Sequence, residues 1–278
     1  MVARAATAAI LADLVGRKTI ESKVMIVVAH PDDETIGMGA QLCRFHDALL
    51  IQVTDGAPLD GRDANAHGYA TIAEYASARR AELAVALEVG QARGLSVENI
   101  GITDQEACFE LPMLIERISE LTRARAPEAI FVHAYEGGHP DHDAASLAVS
   151  AACRLIEAQG GLAPPIIEIA GYHAEGDGVA MGVFLPGEHA ITTLQLTPAD
   201  SLRKRRMIDC FLSQRELLAE FAVETESFRE APQYEFTRPP HRGVLHYERL
   251  GWKITGTLWR QQARLALDRL GLSACRSG

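Results

Sequence analysis

The sequence predicts an α/β fold built on a mostly parallel sheet with helices on both faces. Three observations carry this expectation. Residues 24–173 alternate strand-like and helix-like segments. Two of the strand-like segments, Val24-Met25-Ile26-Val27-Val28-Ala29 and Ala129-Ile130-Phe131-Val132, are continuous apolar runs of the kind buried on both faces. Each of these runs is followed by a cluster of histidine and carboxylate.

In order along the chain, the apolar stretch from Ala5 to Leu14 is interrupted by Asp13, and no small-residue cleavage signature follows it before Val24. It predicts an N-terminal helix over part of the core, not a secretion signal. Strands are expected at 24–29, 49–54, 97–102, 129–133 and 166–172, with helices between them at 35–46, 72–89, 111–125 and 141–157. Right-handed crossovers would bring every strand-to-helix loop to one sheet edge. Gly160-Gly161 and Pro164-Pro165 mark a loop. A further strand at 190–196 precedes Thr197-Pro198-Ala199-Asp200, an N-cap with proline at the first helical position. That helix should run through 203–212 and on toward 221. Residues 224–255 read as polar and irregular, rich in aromatics, and 257–270 as a closing amphipathic helix. The expected organisation is one domain over 1–278, with its core at about 22–222 and a C-terminal lid or extension beyond.

Composition sets bounds. Hydrophobic content of 47% and charged content of 23% over 278 residues suit an ordinary globular protein. A formal net charge of −10 disfavours nucleic acid and anionic lipid, both of which need a basic surface. No stretch has the length of a membrane span. Cys43, Cys108, Cys153, Cys210 and Cys275 are scattered and form no CxxC. Four lie in apolar segments and read as core thiols, which fits a reducing cytoplasm.

The chemistry lies in two clusters, His30-Pro31-Asp32-Asp33-Glu34 and His139-Pro140-Asp141-His142-Asp143. Buried strands seldom end in so much charge for packing reasons, because unpaired carboxylates are costly to desolvate. Helix capping by aspartate accounts for one such cluster, but poorly for two that both carry histidine. His30 and Asp33, and likewise His139 and His142, stand three apart at strand-to-helix junctions and can share a cavity. Three ligands from these four leave one group for acid–base work, the composition of an open metal site. Asp32, beside Asp33, is placed for a general base.

These motifs resemble the PIG-L/LmbE de-N-acetylases. The resemblance rests on Ala29-His30-Pro31-Asp32-Asp33-Glu34 and His139-Pro140-Asp141-His142. It extends to Val53-Thr54-Asp55-Gly56, Arg79 with Glu82, Asp104, Lys204 and Ser213-Gln214. It implies a Rossmann-like fold and metal binding by His30, Asp33 and His142. The metal would be Zn²⁺, with Fe²⁺ and Co²⁺ suited to the same donors. It implies Asp32 as general base and His139 as the protonated group that steadies the oxyanion or protonates the leaving amine. Asp141 would hold one imidazole in its tautomer. The implied substrate is a small-molecule amino-sugar conjugate of N-acetylglucosamine type. The resemblance turns Arg79 toward its hydroxyls, where the plain reading is a helix-face ion pair with Glu82. Asp55 and Asp104 read equally as contacts to hydroxyls or as helix and turn caps. The aromatics of 224–255 read mostly as core and lid packing, with Tyr247 and Trp252 the candidates for the rest of the substrate. The sequence leaves the oligomeric state open.

Other readings compete. A related amidase could cut a larger acyl or thiol-conjugate amide with the same site. Two histidines and a carboxylate also describe a non-haem Fe(II) oxygenase, although βα alternation is unlike the scaffolds of those enzymes. A catalytically silent sugar-binding protein would not need both Asp32 and His139. Gly37-Met38-Gly39 lacks the third glycine of a dinucleotide fingerprint and reads as close helix packing. His67, His173, His189, His241 and His246 read as surface or satisfied residues, and His133 as a supporting residue at a strand end.

Overall fold

Val24-Met25-Ile26-Val27-Val28 is buried at every position and forms β1 (Val24–Val28) inside a seven-stranded sheet. The structure, a computed structural model, describes residues 2–273. After α1 (Val2–Val15) and β1 come α2 (Asp33–Met38), β2 (Ala48–Pro58), α3 (Arg62–Ala66), α4 (Ile72–Val89), β3 (Leu95–Asp104) and α5 (Leu111–Arg125). There follow β4 (Ala129–His133), α6 (Pro140–Ala158), β5 (Ile166–Ile169), β6 (Tyr172–Glu175), β7 (Gly178–Met181) and β8 (Ile191–Gln195). The described chain closes with α7 (Pro198–Ile208), α8 (Arg215–Leu218), β9 (Thr225–Glu230), α9 (His246–Arg249) and α10 (Gly256–Arg269).

The sheet runs β3-β2-β1-β4-β5-β9-β8. β3, β2, β1, β4 and β5 are parallel, and β9 pairs antiparallel with both β5 and β8. This is the mostly parallel α/β fold read from the sequence. Two apolar layers flank it. One holds Met25, Val27, Ile130 and Val132 against α5, α6 and α10; the other holds Ile26, Val28 and Phe131 with Leu83, Met207 and Phe211. The N-terminal helix covers part of the second layer through Ile10 and Leu14, as expected. Each such side chain contributes roughly 1.5–3 kcal/mol on full burial.

Several elements differ from expectation. The helix expected at 35–46 stops at Met38 and gives way to a 3-10 turn, Leu42–Arg44. Gly37 there sits against Ile169: a Cβ would lie 2.9 Å from Ile169 Cδ1, so the glycine serves close packing. The strand expected at 166–172 breaks at Ala170-Gly171, and Tyr172 opens a separate hairpin of β6 with β7. The helix expected to reach 221 ends at Ile208, and Leu212–Gln214 form a 3-10 turn before α8.

The largest difference is β9, a sheet strand within a segment expected to be irregular and beyond the expected core end at 222. Its sequence, Thr225-Glu226-Ser227-Phe228-Arg229-Glu230, lacks an apolar run. Burial is made possible by pairing. Lys204 Nζ lies 3.1 Å from Glu226 Oε1, and Arg229 Nε donates to Glu168 Oε2 at 2.7 Å. Charged residues mark strands as exposed only when their partners are unseen. Cys108 and Cys153 are buried thiols as expected, but Cys43 and Cys210 are only partly buried; all four are free, and Cys275 lies outside the described residues.

Candidate active site

β1 pairs with β2 on one side and β4 on the other, so the strand order reverses between β1 and β4. Open α/β sheets bind ligands at such a switch point, beyond the carboxyl ends of the strands. The β1–α2 junction delivers His30, Asp32 and Asp33 to this edge, and the β4–α6 junction delivers His139, Asp141 and His142. α6 starts with His139 as N-cap and Pro140 in its first turn. Trp259 of α10 braces that turn by donating Nε1–H to Pro140 O at 2.9 Å.

Asp33 is the hub. Its Oδ2 lies 3.2 Å from His30 Nδ1 and 3.3 Å from His133 Nε2, and its Oδ1 lies 3.1 Å from His142 Nε2. On its other side, His30 Nε2 lies 3.3 Å from Asp104 Oδ1 and 3.4 Å from Asp141 Oδ2. Asp141 is fixed by backbone N–H donors from Gln105 at 2.6 Å and Ala107 at 3.2 Å. The imidazole that Asp141 orients is thus His30. His133 does more than end a strand: its ring stacks on His142 at 3.9 Å, and its Nε2 accepts the Ala29 N–H at 3.1 Å.

Charges follow from this packing. Burial opposes a proton on His30, but Asp104 and Asp33 outweigh it and hold its pKa well above the ordinary imidazole value. Burial also opposes charge on Asp33, yet His142, His133 and His30 hold its pKa well below the ordinary range. Burial pushes Asp32 up to about 7, with Arg79 pulling the other way. Burial, then the His142 charge, pulls His133 down to about 4.

His139 corrects an expectation. Its Nδ1 accepts the Asp141 backbone N–H at 3.1 Å, so that nitrogen cannot also carry a proton. Burial and the neighbouring His30 hold its pKa well below the ordinary value. The geometry favours a neutral ring with its proton on Nε2, where the sequence leads one to expect an imidazolium.

The donor set fits a divalent cation. His142 Nε2 and Asp104 Oδ1 are buried and make no hydrogen bond. Buried polar atoms rarely go unsatisfied without a partner of another kind. Three overlapping sets among the described residues place their donor atoms within 4.8 Å of one another: His30, His139 and His142; His30, Asp104, His139 and Asp141; and Asp33, His133 and His142. The expected ligands His30, Asp33 and His142 are spread over these sets, and Asp33 touches both histidines. Imidazole nitrogen with carboxylate oxygen suits Zn²⁺.

Asp32 stands apart from this hub and takes its position from Arg79. Arg79 Nη2 donates to Asp32 Oδ2 at 2.9 Å and to Pro31 O at 3.0 Å, and Nη1 donates to Gly56 O at 2.7 Å. Gly56 has φ of 66°, and a Cβ there would lie 2.8 Å from Arg79 Cζ. Only glycine meets both demands. Asp32 itself has φ of 137°, a costly conformation away from glycine, held at the α2 N-cap by these contacts.

The candidates for substrate hydroxyls fare unequally. Arg79 lines the cavity but is committed to protein acceptors. Asp55 Oδ1 accepts backbone N–H from Ala57 at 3.0 Å and Asp104 at 3.3 Å and does not line the cavity. Asp104 faces His30. Tyr247 is buried in the core, whereas Trp252 lines the cavity, its ring 4.8 Å from that of His139. Glu82 makes no helix-face pair with Arg79. It accepts from Ser213 N at 2.9 Å and Ser213 Oγ at 2.5 Å, tying α4 to the cavity wall.

The cavity, of about 230 Å³, is lined by His30, Asp32, Asp33, His139, His142 and Arg79 among others. Gln214, part of the resemblance, also lines it, as do Tyr172 and His246, which the sequence does not mark as pocket residues. The signal available for Tyr172 is its position next to Gly171 at a strand end. Leu217 and Leu218 offer only an amphipathic pattern.

Residues 25–153 match the PIG-L family model, described as GlcNAc-PI de-N-acetylase. No curated protein matches the sequence. The fold is similar to a deacetylase of the teicoplanin biosynthesis pathway, at 16% identity over 77% of this chain and 99% of that one, with a TM-score of 0.58. It is also similar to the A40926 pseudoaglycone deacetylase Dbv21, at 16% identity over 76% and 97%, TM-score 0.57. A third likeness is to the N,N'-diacetylchitobiose deacetylase of Pyrococcus horikoshii, at 16% identity over 86% and 96%, TM-score 0.51. At these identities the likeness is one of fold. No helix among the described residues is long and apolar enough to cross a membrane.

Proposed function

We propose, from the match of residues 25–153 to the PIG-L family model, that this chain is a metal-dependent N-deacetylase of an amino-sugar conjugate, releasing acetate and a free amine. One observation carries the reading beyond the family match. A buried hub of Asp33 with His30 and His142 lines one cavity together with Asp32, whose carboxylate is bound to Arg79.

His30, Asp33 and His142 would hold the metal, Zn²⁺ by donor type and Fe²⁺ or Co²⁺ by the same chemistry. A bound divalent cation supplies Lewis acidity toward the amide carbonyl and acidifies water. Asp32, ionised and fixed by Arg79, takes the proton of the attacking water as its oxygen bonds to the carbonyl carbon. His139, with Nδ1 occupied by the Asp141 N–H, donates from Nε2 to the oxygen that gains charge. The C–N bond then breaks, and the amine leaves with the proton that Asp32 took. Asp141 and His133 keep the hub in register.

The test is acetate release from N-acetylglucosamine glycosides by metal-loaded protein, with and without prior chelation. Chelation should abolish release and re-addition of metal restore it. Undiminished release after complete removal of metal would refute the metal requirement, and no release from any member of the panel would refute the activity.

A further inference from the structure

We infer that the substrate carries a hydrocarbon-like substituent that lies across the apolar wall of the cavity; this rests on the amide-hydrolase reading of the same site. The apolar part of the lining is formed by Ile36, Val179, Met181, Leu217, Leu250 and Trp252. Three of these are large apolar side chains left in water: Leu217 is 54% exposed, Leu250 50% and Val179 36%. Isolated exposed leucines are ordinary. Two leucines and a valine that line one cavity and stay exposed form a surface that gains by being covered.

The wall is held in place. Arg249, at the end of α9, donates Nη2–H to Gly176 O at 2.7 Å and Nη1–H to Gly178 O at 3.0 Å. This latches the β6–β7 turn to the segment that carries Leu250 and Trp252. Two of the groups suited to sugar hydroxyls are already engaged by the protein. Arg79 serves three protein acceptors, and Gln214 Nε2 donates to Tyr75 OH and Ser213 O. Asp63 and His246 also line the cavity and remain for a polar part of the substrate, whereas an alkyl or aryl group would cover the exposed Leu217, Leu250 and Val179. That group can hang from the acyl carbon or from the aglycone, so two substrate series separate the sources.

The experiment measures kcat/KM in two arms: methyl, butyl and hexyl glycosides of N-acetylglucosamine, and the methyl glycoside bearing N-acetyl, N-butanoyl or N-hexanoyl. Wild type is compared with the Leu217→Ser, Leu250→Ser double variant. In one arm kcat/KM should rise roughly threefold per methylene seated on the wall. The double variant should flatten that rise. Equal kcat/KM along both arms, with the methyl N-acetyl glycoside still hydrolysed, overturns the inference and leaves the deacetylase reading intact. A rise that the double variant retains also overturns it. Calorimetric binding of the same compounds to Asp32→Asn protein reads the wall independently of turnover. Tighter binding of hexyl than methyl ligands, with no acid released by wild type, upholds the inference and removes the deacetylase reading. Equal binding throughout overturns the inference.

Discussion

Arg79 and Asp32 form a buried pair 2.9 Å apart, and nothing else in the cavity holds the proposed base so firmly. Burial raises the Asp32 pKa to about 7 even with the guanidinium pulling it down. A base works only when ionised, so the rate falls as pH drops through its pKa. Removing the guanidinium removes the downward pull, and Arg79→Met should therefore move the acidic limb of kcat/KM to higher pH, by about 1–3 units. A pH profile of wild type and variant, both metal-loaded, checks this. A limb that stays in place would mean that it belongs to another group.

Asp32→Asn nearly preserves shape but cannot accept the proton of water. Turnover should fall on the order of 10²–10⁴-fold. Metal content, which the proposal assigns to the separate Asp33 hub, should stay close to wild type by elemental analysis. Near-normal turnover would remove Asp32 from the chemistry, and loss of metal would make it a ligand.

Lys204 and Glu226 join α7 to β9, and both side chains are buried. Lys204→Met leaves Glu226 in the core without its cation. The Ala40 N–H and Gln41 Nε2 still donate to it, each at 2.9 Å. Breaking such a pair costs about 3–5 kcal/mol, and the two remaining donors put the expected loss near the lower end. Urea unfolding measures it. Adding Glu226→Gln to Lys204→Met removes the stranded charge and should recover part of the loss; a double variant less stable than the single one would contradict this account.

The same pair shows which parts of the fold are legible in sequence. β1, β4 and the two histidine clusters are legible because an apolar run that ends in charge fits a buried strand at the ligand-binding edge of an open sheet and little else. β9 is not, because Glu226 and Arg229 become buried only through Lys204 and Glu168, residues distant in sequence. The strand expected at 166–172 is shorter in the structure because Gly171, which breaks it, sits within an otherwise apolar stretch. At the site, residue types reveal the donors but not their allotment. Asp55 reads equally as a substrate contact or a turn acceptor and is the second. Arg79 has the look of a substrate contact and is the anchor of Asp32. Tyr247 and Trp252 are indistinguishable in sequence, and packing sends one to the core and the other to the cavity.

The allotment of the histidines gives the sharpest remaining test. His142 Nε2 is buried without a hydrogen bond and lies 3.1 Å from Asp33 Oδ1. His139 has one nitrogen engaged by the Asp141 N–H, and its Nε2 lies 3.7 Å from Asp104 Oδ1. The two histidines are alike in burial, so loss of either removes similar volume, and a difference in metal content reports ligation. His142→Ala should lose most of its metal after dialysis, while His139→Ala should keep most of it and lose turnover. Mass-spectrometric metal analysis of both proteins, with circular dichroism to confirm folding, decides the matter. If His139→Ala loses the metal and His142→Ala keeps it, the ion belongs with His30, Asp104, His139 and Asp141. Asp33 would then be a structural hub, and the proton donor to the oxyanion would have to be found elsewhere.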